Sequence, residues 1–241
     1  MLVIGICGAS GSGKSTLAKE LRDAVGSCAT VINHDCYYKD HTHLSFEERC
    51  KLNYDEPDIF DHDLFLEDIK TLMAGKPITR KQYDYSNHCR ADSDELIYPS
   101  EVLIIEGIHV FFDPRLCDLM FLKLYMKVEP DICLLRRITR DINERGRAID
   151  NISDQYLTTV KPMYDKYIRN YVELADVIVA RGGKNARIVT ILAGYVRDVL
   201  SGEEPAISLG ISVKRLTLVG MVLCCLTSSV VVSNVGLISF I

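Results

Sequence analysis

The chain has 241 residues, 48% hydrophobic and 25% charged, with a formal net charge of −5. That suits one ordinary domain, or one with an appendage, and supports a buried core rather than disorder. The negative balance argues against a general nucleic-acid binder, which holds phosphate backbones with an excess of Lys and Arg. Nine cysteines show no C-x-x-C pair or metal-ligand spacing, which fits free thiols in a reducing, cytoplasmic compartment. No signal peptide is expected, because the first strand starts at once.

In chain order, the apolar run at 2–7 reads as a strand and leads straight into GASGSGKS, residues 8–15. With a helix expected at 14–25, Gly8-x-x-x-x-Gly13-Lys14-Ser15 matches a phosphate-binding loop without a mismatch. Gly8, Ala9, Ser10, Gly11, Ser12, Gly13, Lys14, Ser15 and Thr16 are the candidate nucleotide-binding residues. Glycines let successive backbone N–H groups converge on phosphate oxygens, and the helix N-terminus adds partial positive charge. Lys14 is expected to bridge the terminal phosphates and the Ser15 hydroxyl to ligate Mg²⁺. A Gly/Ser turn that fits by chance is the plainer alternative, and the strand–loop–helix context speaks against it. The loop says nucleoside triphosphate and Mg²⁺; it is silent about the acceptor.

A second strand at 30–33 is followed by Asp35. A carboxylate there faces the phosphate loop across the sheet edge, placed to take a proton from an attacking hydroxyl. Alone, such an Asp serves as readily in a turn or cap. Helices are expected at 46–52 and 63–73, and YDYSNHCR (83–90) reads as an aromatic β-hairpin. His88 by itself is an ordinary surface histidine. The strand at 102–105 ends at Glu106, in the position of a carboxylate partner to Mg²⁺; the plainer reading is an acid facing solvent. A strand at 123–128, helices at 130–143 and 155–171, a strand at 176–179 and a helix at 185–200 complete the alternation. It implies an α/β fold with a mostly parallel sheet, whose ligands sit at the carboxyl ends of the strands.

RRITRDINERGR places Arg136, Arg137 and Arg140 on one helix, with Arg145 and Arg147 around Gly146. Arg137 and Arg140, three apart, share a face, and planar guanidinium groups match phosphate oxygens bidentately. A glycine-containing lid can bring them in once both substrates are bound. The plainer reading is a solvated charged face with Asp141 and Glu144 as partners. After Pro205 only Lys214 and Arg215 are charged, so a boundary is expected there: one domain over 1–204 and an apolar extension over 205–241.

GASGSGKST, DCYYKD, LSFEER, NYDEPDIFDHDL, YDYSNHCR, EGI, DICLLRRITRDINERGR, QYLTTVKPMY and ADVIVARGGKN follow one another to about residue 200. In this order they closely resemble the uridine kinase (uridine–cytidine kinase) family, bacterial type. The resemblance implies a P-loop NTPase-type parallel sheet flanked by helices, a small β-hairpin nucleoside-binding insertion and an Arg-rich lid. It implies that Asp35 is the general base toward the nucleoside 5′-hydroxyl and stands near Mg²⁺ with Ser15 and Glu106. Asp55 would hold the ribose hydroxyls, helped by Arg137 and Gln155, and Tyr83 and His88 would recognise the base. Arg140, Arg145 and Arg147 would be lid arginines, Arg147 also near the pyrimidine. Residues 181–185 would pass near the donor's purine.

The implied activity is phosphoryl transfer from ATP or GTP to uridine or cytidine, giving UMP or CMP, in a homo-oligomer, commonly a tetramer. A P-loop ATPase or GTPase using water, a phosphoribulokinase- or pantothenate-kinase-like enzyme, and a membrane-tethered binding module are the competing readings. Two positions depart from the family's pattern: Lys81, where Pro is common, and His109, where an apolar residue is usual. The departure at His109 bears on packing, and no functional role is assigned to His34, His41, His43, His62 or His109. The tail over 216–241 reads as a membrane anchor, an added strand pair or a non-native extension, the non-membrane readings being favoured.

Overall fold

Five of the apolar runs form one parallel sheet. Its strands are β1 (Leu2–Gly8), β2 (Ala29–Asn33), β3 (Val102–Glu106), β4 (Leu122–Lys127) and β5 (Val177–Ala180), in the spatial order β2-β3-β1-β4-β5. A computed structural model describes residues 1–91 and 93–202. The chain divides into two compact units, Met1–Ile191 and Leu192–Ile241, and the sheet and every candidate site residue belong to the first. All of β3 is buried, as is β1 beyond Leu2, which is why both read as continuous apolar runs rather than alternating ones.

Strand register sets the site. Glu106 lies opposite Asn33 of β2 on one side and Ile6 of β1 on the other. The carboxyl edge of the sheet therefore aligns the start of the 8–15 loop, Glu106 and the 3-10 turn His34–Tyr37 that carries Asp35. Behind this edge α1 (Lys14–Val25) buries Leu17, Ala18 and Leu21 along one face. The next long helix, α2 (His62–Met73), starts where the Asp61 side chain accepts the Leu64 N–H at 3.1 Å. α3 (Pro130–Arg145) opens on a proline and stops at Gly146, whose φ of 60° is the left-handed conformation glycine tolerates.

The single helix expected over 155–171 is broken. The structure has α4 (Ile149–Gln155), a π turn (Tyr156–Val160), α5 (Lys161–Lys166) and a 3-10 segment (Ile168–Leu174). Pro162 is the reason: it has no N–H for the ladder, its ring crowds the carbonyl four residues back, and the widened π turn accommodates it. The expected hairpin is present in nested form. Tyr83–Asp84 pairs antiparallel with Cys89–Arg90, and Ile78–Thr79 pairs with Leu96–Ile97. The Asp84 carboxylate closes its tip by accepting the N–H groups of Ser86 and Asn87. The last helix among the described residues, α6, covers Ala186–Ser201. The boundary expected at 204 and the apolar tail lie outside the described residues. Among the described residues no helix is long and apolar enough to cross a membrane.

Candidate active site

The phosphate loop turns on Gly11 (φ 81°) and Gly13 (φ 95°), backbone conformations that side chains with a Cβ rarely adopt. A Cβ on Gly13 would also stand 2.8 Å from the Gly183 nitrogen, so the 181–185 loop lies directly against it. Lys14 is buried, and its Nζ donates to the Ala9 carbonyl at 3.0 Å across the loop. The Ser15 hydroxyl donates to Glu106 Oε1 at 2.8 Å. Burial pushes the Glu106 carboxyl up to about 7; Lys14 opposes this and Asp35 adds to it. Asp35 is held by its own N–H, which donates to Asn33 Oδ1 at 2.7 Å. Its Oδ1 and the Ser12 hydroxyl are buried without a hydrogen-bond partner. Orphaned oxygens beside a Ser–Glu pair suit a divalent cation that keeps some of its water, and the glycine cradle suits a polyphosphate.

Beside the loop opens a cleft lined by Asp35, Asp55, Tyr83, His88, Arg137, Arg140, Arg145, Arg147 and Gln155. Asp55 and Arg137, each 5% exposed, face one another with Nη1 4.0 Å from Oδ1. Arg137 also donates to Ser10 Oγ at 3.0 Å and to Gln155 Oε1 at 2.9 Å, which ties this wall to the phosphate loop. Burial raises the Asp55 carboxyl above its ordinary range, Arg137 counters this, and Asp35 raises it further. The other Asp55 oxygen accepts from Thr159 at 3.4 Å. Both contacts are long, so the carboxylate keeps acceptor capacity toward the cavity.

An aromatic wall completes it. The His88 ring stacks on Tyr54 (4.9 Å between centroids), and Tyr38 meets both Tyr83 (4.8 Å) and the edge of Tyr54 (5.3 Å). Burial, then Arg147 and Arg145, lower the pKa of His88, so its ring is neutral at neutral pH and offers one donor and one acceptor. Four arginines gather on the fully buried Asp141: Arg140 at 2.8 Å, Arg145 at 3.4 Å, Arg137 at 3.7 Å and Arg147 at 3.8 Å. Arg145 also lies 4.3 Å over the Tyr85 ring, and Arg147 donates to Gln155 Oε1 at 3.0 Å. Two carboxylates, Asp141 and Asp55, among four guanidinium groups leave a surplus of positive charge where a polyanion would meet it.

The sequence model of the Phosphoribulokinase / Uridine kinase family matches residues 3–187. The chain belongs to that family. It is 44% identical over 204 residues to the uridine kinase of Vibrio vulnificus, covering 83% of this chain and 96% of the relative. With the uridine kinase of Clostridium perfringens it shares 40% over 204 residues, covering 84% and 98%. Among solved structures, a candidate fructose transport system kinase from Silicibacter sp. TM1040 has the same fold. That match has a TM-score of 0.59 and 24% identity, over 74% of this chain and 89% of that one. The protein is a kinase with an α/β P-loop fold, and kinases of this kind use a nucleotide phosphate donor with Mg²⁺.

For this uridine kinase family member, the residues singled out from the sequence fall into two adjoining groups. Gly8 to Thr16, with Glu106 and Asp35, form the phosphate side; Asp55, Tyr83, His88, Arg137, Arg147 and Gln155 line the cavity with Asp35, Arg140 and Arg145. The solvated-face reading of the arginine helix does not hold, because Arg137 and Asp141 are buried. Arg136 stands apart from the cavity: a Cβ on Gly182 would lie 2.9 Å from its Nη1. Sequence reasoning missed Asp141 as the hub of the arginines, and the wall residues Tyr38, Tyr54 and Tyr85. All three tyrosines lie in the quoted segments, Tyr38 in DCYYKD, Tyr54 in NYDEPDIFDHDL and Tyr85 in YDYSNHCR, which is the available signal. His109, expected to matter only for packing, is fully buried and hydrogen-bonded through both ring nitrogens.

Proposed function

We propose that this kinase phosphorylates uridine, and cytidine beside it, at the 5′-hydroxyl, with ATP as the ordinary donor. The observation that carries this reading is the convergence of Asp55, Arg137, Gln155, Tyr83 and His88 on one cavity that adjoins Asp35 and the phosphate loop. In this reading Asp55 accepts hydrogen bonds from the ribose hydroxyls, with Arg137 beside it and Gln155, which accepts from Arg137, as helpers on the sugar. Tyr38, Tyr54 and Tyr83 flank the pyrimidine, and neutral His88 reads its O4 or N4 edge. A single ring that both donates and accepts suits uracil and cytosine alike.

Asp35 takes the proton of the attacking hydroxyl, and Lys14 with Arg140 and Arg145 balances charge on the transferred group. Ser15, Glu106 and Asp35 would hold Mg²⁺, which would supply charge neutralisation to the donor's phosphates. Phosphoryl transfer asks little covalent work of a protein, so alignment and exclusion of water carry the rate. A P-loop hydrolase would have no use for the Asp55–Arg137 wall.

The catalytic domain is proposed to lie within 1–204, in a cytoplasmic homo-oligomer, the tetramer that the family resemblance implies. The test is nucleotide turnover with and without nucleoside. ADP release that depends on added uridine, with UMP formed in equal amount, supports the reading. Release at the same rate without an acceptor contradicts it.

A further inference from the structure

Asp55 stands in a turn, outside any strand or long helix, so its backbone needs other anchors. Side chains supply them. Asn53 Oδ1 accepts the Asp55 N–H at 3.1 Å, and the Tyr38 hydroxyl donates to the Tyr54 carbonyl at 3.2 Å. The His109 ring lies with Nε2 2.7 Å from the Asp55 carbonyl oxygen and Nδ1 3.0 Å from the Tyr171 hydroxyl. One ring thus joins the loop after β3, which carries Glu106, to the Asp55 turn and to the 3-10 segment Ile168–Leu174.

The chemistry assigns the tautomer. A carbonyl oxygen only accepts, so Nε2 must carry the hydrogen. Burial, with His62 and Lys14 nearby, lowers the pKa of His109 to about 4, against the pull of the Asp55 carbonyl. The ring is therefore neutral near pH 7, and Nδ1 is a bare acceptor for the Tyr171 O–H.

We infer that His109 is a positioning residue for the acceptor site: by donating to the Asp55 carbonyl it fixes where the Asp55 carboxylate stands, and Tyr171 holds it in the tautomer that can donate. The plain alternative is a histidine that fills space among Phe60, Phe112 and Tyr167, whose rings it meets edge-on. The inference rests on the reading of the cavity as a nucleoside site. It makes the polar residue at 109, where the family resemblance leads one to expect an apolar one, part of substrate recognition.

Three variants and one spectrum test it. His109→Leu removes both hydrogen bonds at similar volume. His109→Gln restores a donor toward Asp55 and an acceptor toward Tyr171. Tyr171→Phe removes only the tautomer control. His109→Leu is expected to raise the KM for uridine about tenfold while the KM for the nucleotide donor stays within about twofold. His109→Gln is expected to recover most of that loss, and Tyr171→Phe to show a smaller rise. In the wild-type protein, ring ¹⁵N NMR is expected to find the proton on Nε2 at pH 7.

An unchanged uridine KM in His109→Leu, an equal rise in both KM values, or a proton on Nδ1 overturns the inference. If His109→Leu does not fold, the spectrum and the contrast between His109→Gln and Tyr171→Phe decide. Wild-type protein without uridine-dependent turnover defeats the reading of the cavity instead, and the ring spectrum still reports the tautomer.

Discussion

The two halves of the site are built by different means. The phosphate side is built mainly on one run of consecutive residues at the sheet edge, a loop that turns on Gly11 and Gly13 with a buried Lys14, joined by Ser15 to Glu106 at the tip of β3 and flanked by Asp35. Its geometry follows from backbone conformation and strand register, and it would look much the same whatever received the phosphate. The cleft beside it, the proposed acceptor side, is made of side chains from segments as far apart as Tyr38 and Gln155. Its key carboxylate sits on a turn fastened by Asn53, Tyr38 and His109, and its arginines are gathered by Asp141. A backbone-made site depends chiefly on the conformation of its own loop. A side-chain-made site depends on anchors that touch no ligand.

Substitutions can sharpen or break that contrast. The largest effect is expected at the junction of the halves: Asp35→Asn should keep nucleotide and nucleoside binding yet lower kcat by about 10²–10⁴-fold, read under saturating substrates. Wild-type turnover there would remove Asp35 from the chemistry. Asp141→Asn should lose about 3–5 kcal/mol of stability, since it leaves Arg140, Arg145 and Arg147 without their buried counter-charge, Arg137 alone keeping Asp55. Denaturant unfolding reads the stability, and kcat is expected to fall about tenfold as the arginines lose register.

The third effect depends on pH. His109 titrates near 6.5 when unfolded and at about 4 in the fold, with His62 and Lys14 as its charged neighbours. Between these values the unfolded ring binds a proton that the native ring refuses. The wild type should therefore be at full strength above about pH 6.5 and lose about 1.4 kcal/mol per pH unit relative to His109→Gln as the pH falls toward about 4. Parallel pH–stability curves for the two proteins would show that the buried ring is not neutral. The smallest effect is expected beyond both halves: a chain ending at Glu204 should keep its activity per site, measured as uridine-dependent ADP release.

What could be read from the sequence follows the same division. The strand at β3 and the 8–15 loop were plain because burial on both faces gives unbroken apolar runs, and phosphate binding needs a fixed local spacing. Asp55, Tyr83 and His88 carry no such local signal and were reached only through the family resemblance. Asp141 is the intrahelical partner that charge spacing leads one to expect, pairing with Arg137, Arg140 and Arg145 of its own helix, but spacing alone does not reveal that this face is buried. The break near Pro162 was overlooked because helical periodicity outweighed the proline. The bonds of His109 were out of reach, since nothing local tells that residues 54 apart in the chain meet.

The central claim is that Asp55 recognises the ribose from a wall built of side chains. It is tested most directly by the ratio of kcat/KM for uridine to that for 2′-deoxyuridine, in the wild type and in Asp55→Ala. A site built to bond a hydroxyl rejects the analogue that lacks it, because its own polar groups are then left unpaired. The wild type is expected to show a strong preference for uridine that collapses in Asp55→Ala, with the KM for the nucleotide donor little changed. An unchanged ratio in the variant would contradict it.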